Sequence, residues 1–374
     1  MAIFYQSQRA KARINTREMN QLERKRNRRN APPEEYLTHM QDARNIAEFD
    51  NLRVSFFTDE GIIRAVDSVS FAIPAGSTCC VVGESGCGKS VMSMSALQLL
   101  QRPQGQIVSG TIRLNTGDAV YDIANTPEEA MQRIRGGAVS MIFQEPMTSL
   151  NPVTCIGDQL DEAVYLRAPQ MTAAQVKARS LELLELVSIG DGEQVYRQFP
   201  HTLSGGMRQR VMIAMALSGN PKLIIADEPT TALDVTIQAQ ILDLLRSLKD
   251  KMNTTVLLIT HDLGVVAEMA DFVVVMYAGR IVEAGEVGEI FRQPLHPYTV
   301  GLLESRPVIG RGDERLSSIP GVVPNPMELP QHCYFYDRCP RRMPLCQEGY
   351  PGEVSLSPTH RVSCYCYAGQ DESV

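Results

Sequence analysis

The spacing of apolar residues changes several times along this chain, and each change predicts an element. Leu52, Val54 and Phe56 alternate with polar neighbours, the two-residue period of a half-buried strand. Val66, Val69, Phe71 and Ile73 continue in β style to a turn at Pro74-Ala75-Gly76. Thr78 to Val82 is a short apolar run stopping at Gly83, as suits a strand buried on both faces. Val91 to Leu100 then predicts a helix, and Ile107 to Leu114 and Val139 to Phe143 predict strands. From Pro146 to Pro200 the pattern is helix-rich, with Ala173 to Val187 the clearest amphipathic stretch.

A second alternation follows. Arg208 to Leu217 predicts a helix, Lys222 to Ala226 a buried strand, Thr236 to Lys249 a helix and Thr255 to Thr260 another strand. Phe272 to Tyr277 and Arg280 to Glu283 flank Ala278-Gly279, which predicts a hairpin turn. Strands alternating with helices predict an α/β fold built on a largely parallel sheet covered on both faces. Three segments are expected: a polar, Pro-broken extension over residues 1–48, helical in part or disordered; an αβ domain over 49–290 with a helical subdomain at about 146–210; and a Pro-rich, irregular extension over 291–374.

Composition narrows the setting. The 374 residues are 44% hydrophobic, enough for one large core and a smaller appended unit. A net charge of -7 argues against a general nucleic-acid binder. Residues 9 to 29 are nevertheless basic, opposed only by Glu18 and Glu23. Such a run reads either as contact with anionic lipid headgroups or a permease face, or as a solvated tail. No apolar run approaches the roughly 18 residues of a membrane span, and no apolar stretch follows the N-terminal charges. The chain is therefore expected in the cytoplasm, with any membrane role supplied by partners. Of nine cysteines, five crowd between Cys333 and Cys366, which in a reducing compartment suggests metal rather than disulfides.

Two constellations carry chemistry. Gly83-Glu84-Ser85-Gly86-Cys87-Gly88-Lys89-Ser90 fits the phosphate-loop pattern, between an apolar strand and a helix that continues at Val91. The glycines let backbone N–H groups wrap phosphates, Lys89 supplies a point charge, and Ser90 offers a hydroxyl to Mg²⁺. Leu223-Ile224-Ile225-Ala226 is an apolar strand ending in Asp227 and Glu228, at the strand end where ligands bind in open α/β sheets. Asp227 is expected to hold Mg²⁺ and Glu228 to orient or deprotonate the attacking water. His261, past the next apolar strand, is expected to reach the γ-phosphate, and Gln144, after Met141-Ile142-Phe143, to sense metal and water.

Leu203-Ser204-Gly205-Gly206-Met207-Arg208-Gln209-Arg210 resembles the signature motif of ABC ATPases. Further elements match: Gln144 fits the Q-loop, Asp227 and Glu228 Walker B, Ala232-Leu233-Asp234 the D-loop and His261 the H-loop. Phe56 falls where that family places an aromatic that stacks on adenine, with Phe57 a close second. The resemblance implies an ABC-type P-loop ATPase: a RecA-like αβ core, an antiparallel β subdomain and a helical subdomain. It implies a head-to-tail dimer in which Ser204, Gly205, Gly206 and Asp234 of one chain face the ATP held by the other. Glu228, His261, Lys89 and Gln144 would be catalytic, and Ser90, Gln144 and Asp227 would hold Mg²⁺.

Within that family, residues 143–152, Leu295-His296-Pro297-Tyr298-Thr299, Ile319-Pro320-Gly321 and the closing cysteines look like the dipeptide/oligopeptide importer group. This implies a peptide importer's ATPase at the cytoplasmic membrane face, with a second ATPase chain, two permease subunits and an extracytoplasmic peptide-binding protein. Nickel, glutathione and antimicrobial-peptide systems have very similar ATPases. Non-transport ABC ATPases carry long coiled coils or two ATPase units, and this chain has neither. Cys333, Cys339, Cys346 and Cys364 look like the group's C-terminal motif, associated with a [4Fe–4S] cluster. Four thiolates serve zinc equally, though the short paired spacing of zinc ribbons is lacking, and free or regulatory thiols are the third reading. Cys366 is a substitute ligand for Cys364.

Overall fold

The computed structural model describes residues 15–28, 31–144, 149–231, 233–305 and 318–369. Two sheets organise it. A four-stranded antiparallel sheet, in order β2-β1-β4-β5, joins β1 (Asn45–Phe57), β2 (Ile62–Pro74), β4 (Gly105–Asn115) and β5 (Val120–Asp122). The larger sheet runs β11-β12-β10-β9-β3-β8-β7-β6. Its parallel part comprises β3 (Thr78–Val82), β6 (Val139–Ile142), β7 (Leu223–Asp227), β8 (Thr255–Ile259) and β9 (Phe272–Tyr277). β10 (Arg280–Glu286) returns antiparallel beside β9 through a tight turn, with Ala278 at φ 46° and Gly279 at φ 85°. Positive φ at both turn residues is what a two-residue hairpin matching the strand twist requires.

The central strands are apolar throughout because both faces are covered, and their two-residue period sorts side chains between two cores. Cys79, Val81, Ile225, Leu257, Ile259 and Val274 pack toward β1 and β2. Cys80, Val82, Ile224, Ala226, Leu258 and Val275 pack toward the helices. On that second face lie α3 (Ile156–Arg167), α4 (Ala173–Leu186), α5 (Gly192–Tyr196) and α6 (Gly205–Leu217), with α1 (Lys89–Ser95) and α2 (Glu128–Ile134) preceding them in the chain. α4 opens with a reciprocal cap between Thr172 and Gln175. Asp161 accepts hydrogen bonds from Ser180 and Tyr196, both at 2.6 Å, and so ties α3 to α4 and α5.

The structure departs from the sequence expectations at both ends of the chain. β1 starts at Asn45, inside the segment read as an extension. Before it, residues 15–26 are helical and docked: the Arg26 guanidinium donates to Gln98 Oε1 at 3.0 Å, and Glu23 accepts from Gln106 at 2.7 Å. The expected lipid contact of Arg9, Lys11, Arg13 and Arg29 falls outside the described residues. After Pro294 the chain was expected to be irregular, yet α10 (Pro297–Glu304) forms, following α7 (Val235–Met252), α8 (Leu263–Met269) and α9 (Val287–Arg292). β11 (Val354–Ser355) and β12 (Arg361–Val362) extend the main sheet from β10. Strands of two residues have no period to read, and α10 depends on a cap rather than on amphipathic spacing. His296 accepts from the Tyr298 N–H at 3.0 Å, and Pro297 occupies the first helical position, where a missing N–H costs nothing.

The C-terminal segment is fastened to the rest of the chain through buried polar groups. Glu283, fully buried on β10, accepts from the backbone N–H groups of Leu295 and His296 and pairs with His360, each at 2.8 Å. Asp67 on β2 accepts from Arg280 and from the Tyr334 hydroxyl, both at 2.8 Å, and Arg280 lies 3.9 Å over the Tyr350 ring. Burial pushes the His296 imidazole down to about 4, against the opposing pull of Glu283.

A histidine that is harder to protonate when folded favours the native state in its neutral form. Its contribution is complete above about pH 6.5 and is lost as pH falls toward about 4, amounting to on the order of 3 kcal/mol. Thermal denaturation should show the melting temperature falling across that window. His296→Asn, which keeps a capping acceptor, should melt lower than wild type at pH 7.5, with the gap closing by pH 4.5. A constant gap would show that His296 titration does not set the acid sensitivity.

Candidate functional site

The phosphate loop closes between β3 and α1 with its glycines pressed against neighbouring backbone. A Cβ on Gly83 would stand 2.2 Å from the Met276 carbonyl oxygen, and one on Gly88 would stand 2.2 Å from that of Ala65. Both have positive φ, 153° and 100°, so sterics and dihedral independently demand glycine. Ser85 and Gly86 are exposed at the loop tip, Cys87 is buried beneath it, and Val91 is half-buried on α1. Lys89 is almost fully buried, and its ammonium donates to the carbonyls of Gly83 at 2.8 Å and Glu84 at 3.0 Å. An ammonium held by two carbonyls inside this glycine-rich turn makes a cationic cradle for phosphate.

Across from it, the Ser90 hydroxyl donates to Asp227 Oδ1 at 3.1 Å. Burial raises the Asp227 carboxyl, and the neighbouring Glu228 charge adds to this against the Ser90 hydrogen bond and the Lys89 charge. A hydroxyl and a carboxylate oxygen are hard donors suited to Mg²⁺, and a dication there would relieve the cost of ionising Asp227.

Glu228 is the centre of a second cluster. Gln144 Nε2 donates to its Oε2 at 3.0 Å, the Thr231 hydroxyl donates to the same oxygen at 3.0 Å, and His261 Nδ1 lies 3.2 Å from its Oε1. Burial opposes ionisation of Glu228, but hydrogen bonds from His261 and Thr231, with the charges of His261 and Lys89, outweigh it. The carboxyl therefore sits below the ordinary carboxylate range. The backbone of Glu228 is left-handed, φ 44°, and is pinned by its N–H donating to the Ile259 carbonyl at 2.9 Å. A non-glycine residue in that region costs roughly 1–2 kcal/mol, which the sheet beneath it must supply.

The structure thus brings Lys89, Ser90 and Asp227 together, and Gln144, Glu228 and His261 together. Ser204 and Asp234 stand apart, exposed, each capping a helix: Ser204 accepts from Met207 at 3.3 Å and Asp234 from Ile237 at 3.0 Å. Gly205 is exposed at the start of α6, and buried Gly206 lies against Ile237. Phe56 is half-buried against Gly105, and Phe57 is buried. Residues 145–148 and Ala232 lie outside the described residues. Sequence reasoning missed Thr231, whose signal is a hydroxyl one turn beyond the acidic pair. It also missed the contacts of Tyr298 and Arg338 with Glu84: Tyr298 entered only as part of the segment 295–299, and Arg338 carries no local signal.

The cysteines converge without forming the expected ligand set. Cys333 donates its backbone N–H to the Cys346 carbonyl at 3.2 Å, and the Cys339, Cys364 and Cys366 thiols lie within electrostatic reach of one another's neighbours. Burial pushes the Cys333 thiol up to about 11 and Cys364 up to about 12. Among the described residues no three His, Cys, Asp or Glu side chains are arranged to hold a metal ion. The described side chains thus do not show the four-ligand arrangement expected for Cys333, Cys339, Cys346 and Cys364.

Comparison with known proteins agrees with this arrangement. Residues 66–231 match the ABC transporter model, and residues 282–346 match that of the oligopeptide/dipeptide transporter C-terminal region. The chain is 50% identical over 322 residues to the oligopeptide transport ATP-binding protein AppD of Bacillus subtilis, covering 86% of this chain and 97% of that one. It is 47% identical over 320 residues to the dipeptide transport ATP-binding protein DppD of the same organism, covering 86% and 94%. Among solved structures, the dimeric post-hydrolysis state of the ATP-binding cassette MJ0796 with ADP and Pi aligns with a TM-score of 0.56 at 26% identity, covering 64% of this chain and 98% of that one.

The Glu228 cluster predicts a specific separation of binding from chemistry. Glu228→Gln keeps the side chain's size and loses its basicity. Single-turnover hydrolysis should slow by about 10²-fold or more while ATP affinity stays near wild type. Hydrolysis at the wild-type rate would remove Glu228 from the chemical step.

Proposed function

This chain belongs to the ABC transporter ATPases, in the oligopeptide/dipeptide importer group, and we propose that it hydrolyses ATP at a dimer interface to drive uptake of di- and oligopeptides through a separate permease. The observation that carries the chemistry is the juxtaposition of two clusters past one sheet edge: Lys89, Ser90 and Asp227 for the nucleotide, and Gln144, Thr231 and His261 around Glu228.

ATP phosphates enter the loop over residues 83–90, and Lys89 exchanges the Gly83 and Glu84 carbonyls for phosphate oxygens. Ser90, Asp227 and Gln144 would hold Mg²⁺, which when bound neutralises charge on those oxygens. Glu228, ionised at neutral pH, accepts a hydrogen bond from the attacking water and receives its proton. Gln144 and Thr231 fix the carboxylate's plane, and His261 faces the γ-phosphate. Positioning and electrostatics carry most phosphoryl transfer, and this cluster supplies both. Ser204 and Gly205 at the start of α6, and Asp234 of the D-loop, are exposed and stand apart from their own chain's phosphate loop. They suit a second ATPase chain closing over the ATP.

The permease contact is placed beside Gln144. Leu99, Phe143 and Leu166 are exposed apolar residues lining a groove floored by Met212 and Met215, between the parallel sheet and the helical subdomain. A groove of this kind receives an amphipathic helix, here one from the cytoplasmic face of the permease. The protein then sits peripherally at the membrane, and among the described residues no helix is long and apolar enough to cross it. The two permease subunits, the homologous second ATPase and an extracytoplasmic peptide-binding protein complete the assembly. Exposed Arg24 and Lys25 on the N-terminal helix leave a basic face for anionic lipid. The spacing of Cys333, Cys339, Cys346 and Cys364 and the match of residues 282–346 to the oligopeptide/dipeptide transporter C-terminal region are what support a [4Fe–4S] cluster, with Cys366 as a substitute ligand, against a described geometry in which no three such side chains are arranged to hold a metal.

Leu166→Asp should reduce co-purification with the permease and peptide-stimulated ATPase activity by about tenfold, while the isolated chain binds ATP as before. Full coupling in that variant would move the docking site elsewhere. Anaerobic purification with iron and sulfide assay should return about four irons per chain. Zinc, or no metal, would reject the cluster and leave the ATPase assignment standing.

A further inference from the structure

The phosphate loop contains a carboxylate that the hydrolytic chemistry does not use. Glu84 is its second residue, directly after Gly83, and an unneutralised negative charge there would repel an incoming triphosphate. The structure neutralises it from 254 residues away. Arg338 forms a two-pronged ion pair with Glu84, NH1 to Oε2 at 2.8 Å and NH2 to Oε1 at 2.9 Å. The Arg338 side chain is only 5% exposed.

Every other guanidinium donor is also engaged. Nε donates to the Pro320 carbonyl at 2.9 Å, NH2 to that of Ile319 at 3.2 Å, and NH1 to the Tyr277 hydroxyl at 3.4 Å. The guanidinium carbon lies 5.6 Å from the Tyr277 ring centre and 5.9 Å from that of Phe335. Five satisfied donors and two aromatic neighbours leave the fork one orientation. Tyr298, on α10, makes the second hold: its hydroxyl accepts the Glu84 N–H at 2.8 Å. The Glu84 carbonyl in turn accepts from Lys89 at 3.0 Å, so the contact chain runs from the C-terminal segment to the phosphate-binding ammonium.

We propose that Arg338 is a positioning residue for nucleotide binding, holding Glu84 neutralised and turned aside so that the first half of the phosphate loop stays open to the ATP phosphates. The C-terminal segment thereby becomes part of the nucleotide site's support, and what disturbs the turn Tyr336–Arg338 changes ATP affinity before it changes the chemical step. This rests on the loop over residues 83–90 being the ATP site.

The test is steady-state ATPase kinetics and equilibrium binding of a fluorescent ATP analogue, measured on the intact complex for wild type, Arg338→Met, Glu84→Gln and the double variant. Arg338→Met should raise the KM for ATP and the analogue Kd by about tenfold, with kcat within about threefold of wild type. Glu84→Gln should raise both constants less than Arg338→Met does, and the double variant should bind ATP several-fold more tightly than Arg338→Met alone, because Glu84→Gln removes the charge that Arg338 answers. If Arg338→Met does not fold, Arg338→Gln, which keeps a donor toward Glu84 without the charge, carries the same measurement, and a wild-type KM there overturns the proposal. Effects that multiply in the double variant, or a fall in kcat at constant KM, would also overturn it. Wild-type complex that binds no ATP would instead refute the ATPase reading on which the proposal stands.

Discussion

A parallel sheet covered on both faces tolerates no charge along its strands, and that prohibition places everything chemical in this protein. The central strands β3, β6, β7 and β8 are buried at nearly every position, so charged groups appear only where each strand leaves the sheet. Gly83 follows β3, Gln144 follows β6 by one residue, Asp227 and Glu228 end β7, and His261 follows β8. Because these strands are parallel and adjacent in the order β3-β8-β7-β6, their carboxyl ends share one edge. Residues separated by up to 137 positions in sequence therefore meet at hydrogen-bond distance with no further device.

The two carboxylates at that edge are pushed in opposite directions by their surroundings. Asp227 faces inward and is raised by burial; Glu228, one residue on, turns outward through a left-handed backbone and gathers enough donors to be lowered. Strain at Glu228 is the means of this separation, since an extended residue there would continue the strand alternation and send its side chain to the helical core. An acid needing a metal and a base ready to take a proton thus arise from adjacent residues of one type of chemistry.

Much of this was legible in the sequence because it is local. The β3, β7, β8, β9 and β10 strands announce themselves as apolar runs, and the phosphate loop and signature each occupy eight contiguous residues. Gln144 and His261 were legible only through their position after such strands. Thr231 was overlooked because one hydroxyl in a turn has many uses, and only the folded turn aims it at Glu228. α6 was expected from Arg208 yet starts at Gly205, since two glycines read as loop until Ser204 is seen to cap them. The contacts of Arg338 and Tyr298 with Glu84 were beyond reach, although Tyr298 lies in the segment 295–299 already singled out. Nothing in Tyr336-Asp337-Arg338-Cys339 says that its arginine closes on residue 84, and the cysteines around it drew attention to metal instead.

That contact alters how the chain's two family regions relate. The ATPase core alone would leave the Glu84 carboxylate in the loop with no cation to answer it, because the Lys89 ammonium is turned to the Gly83 and Glu84 carbonyls. The C-terminal segment provides the missing charge, and it is itself locked to the core at Asp67 and at Glu283. Arg338 sits next to Cys339 in one short turn, so the geometry of the thiol cluster and the geometry of the phosphate loop are separated by a single peptide bond and one ion pair. Coupling between two sites is reciprocal: if the C-terminal segment's packing favours the loop that accepts ATP, bound ATP must favour that packing to the same degree. The appendage is in this sense not attached to the engine but folded into its nucleotide site.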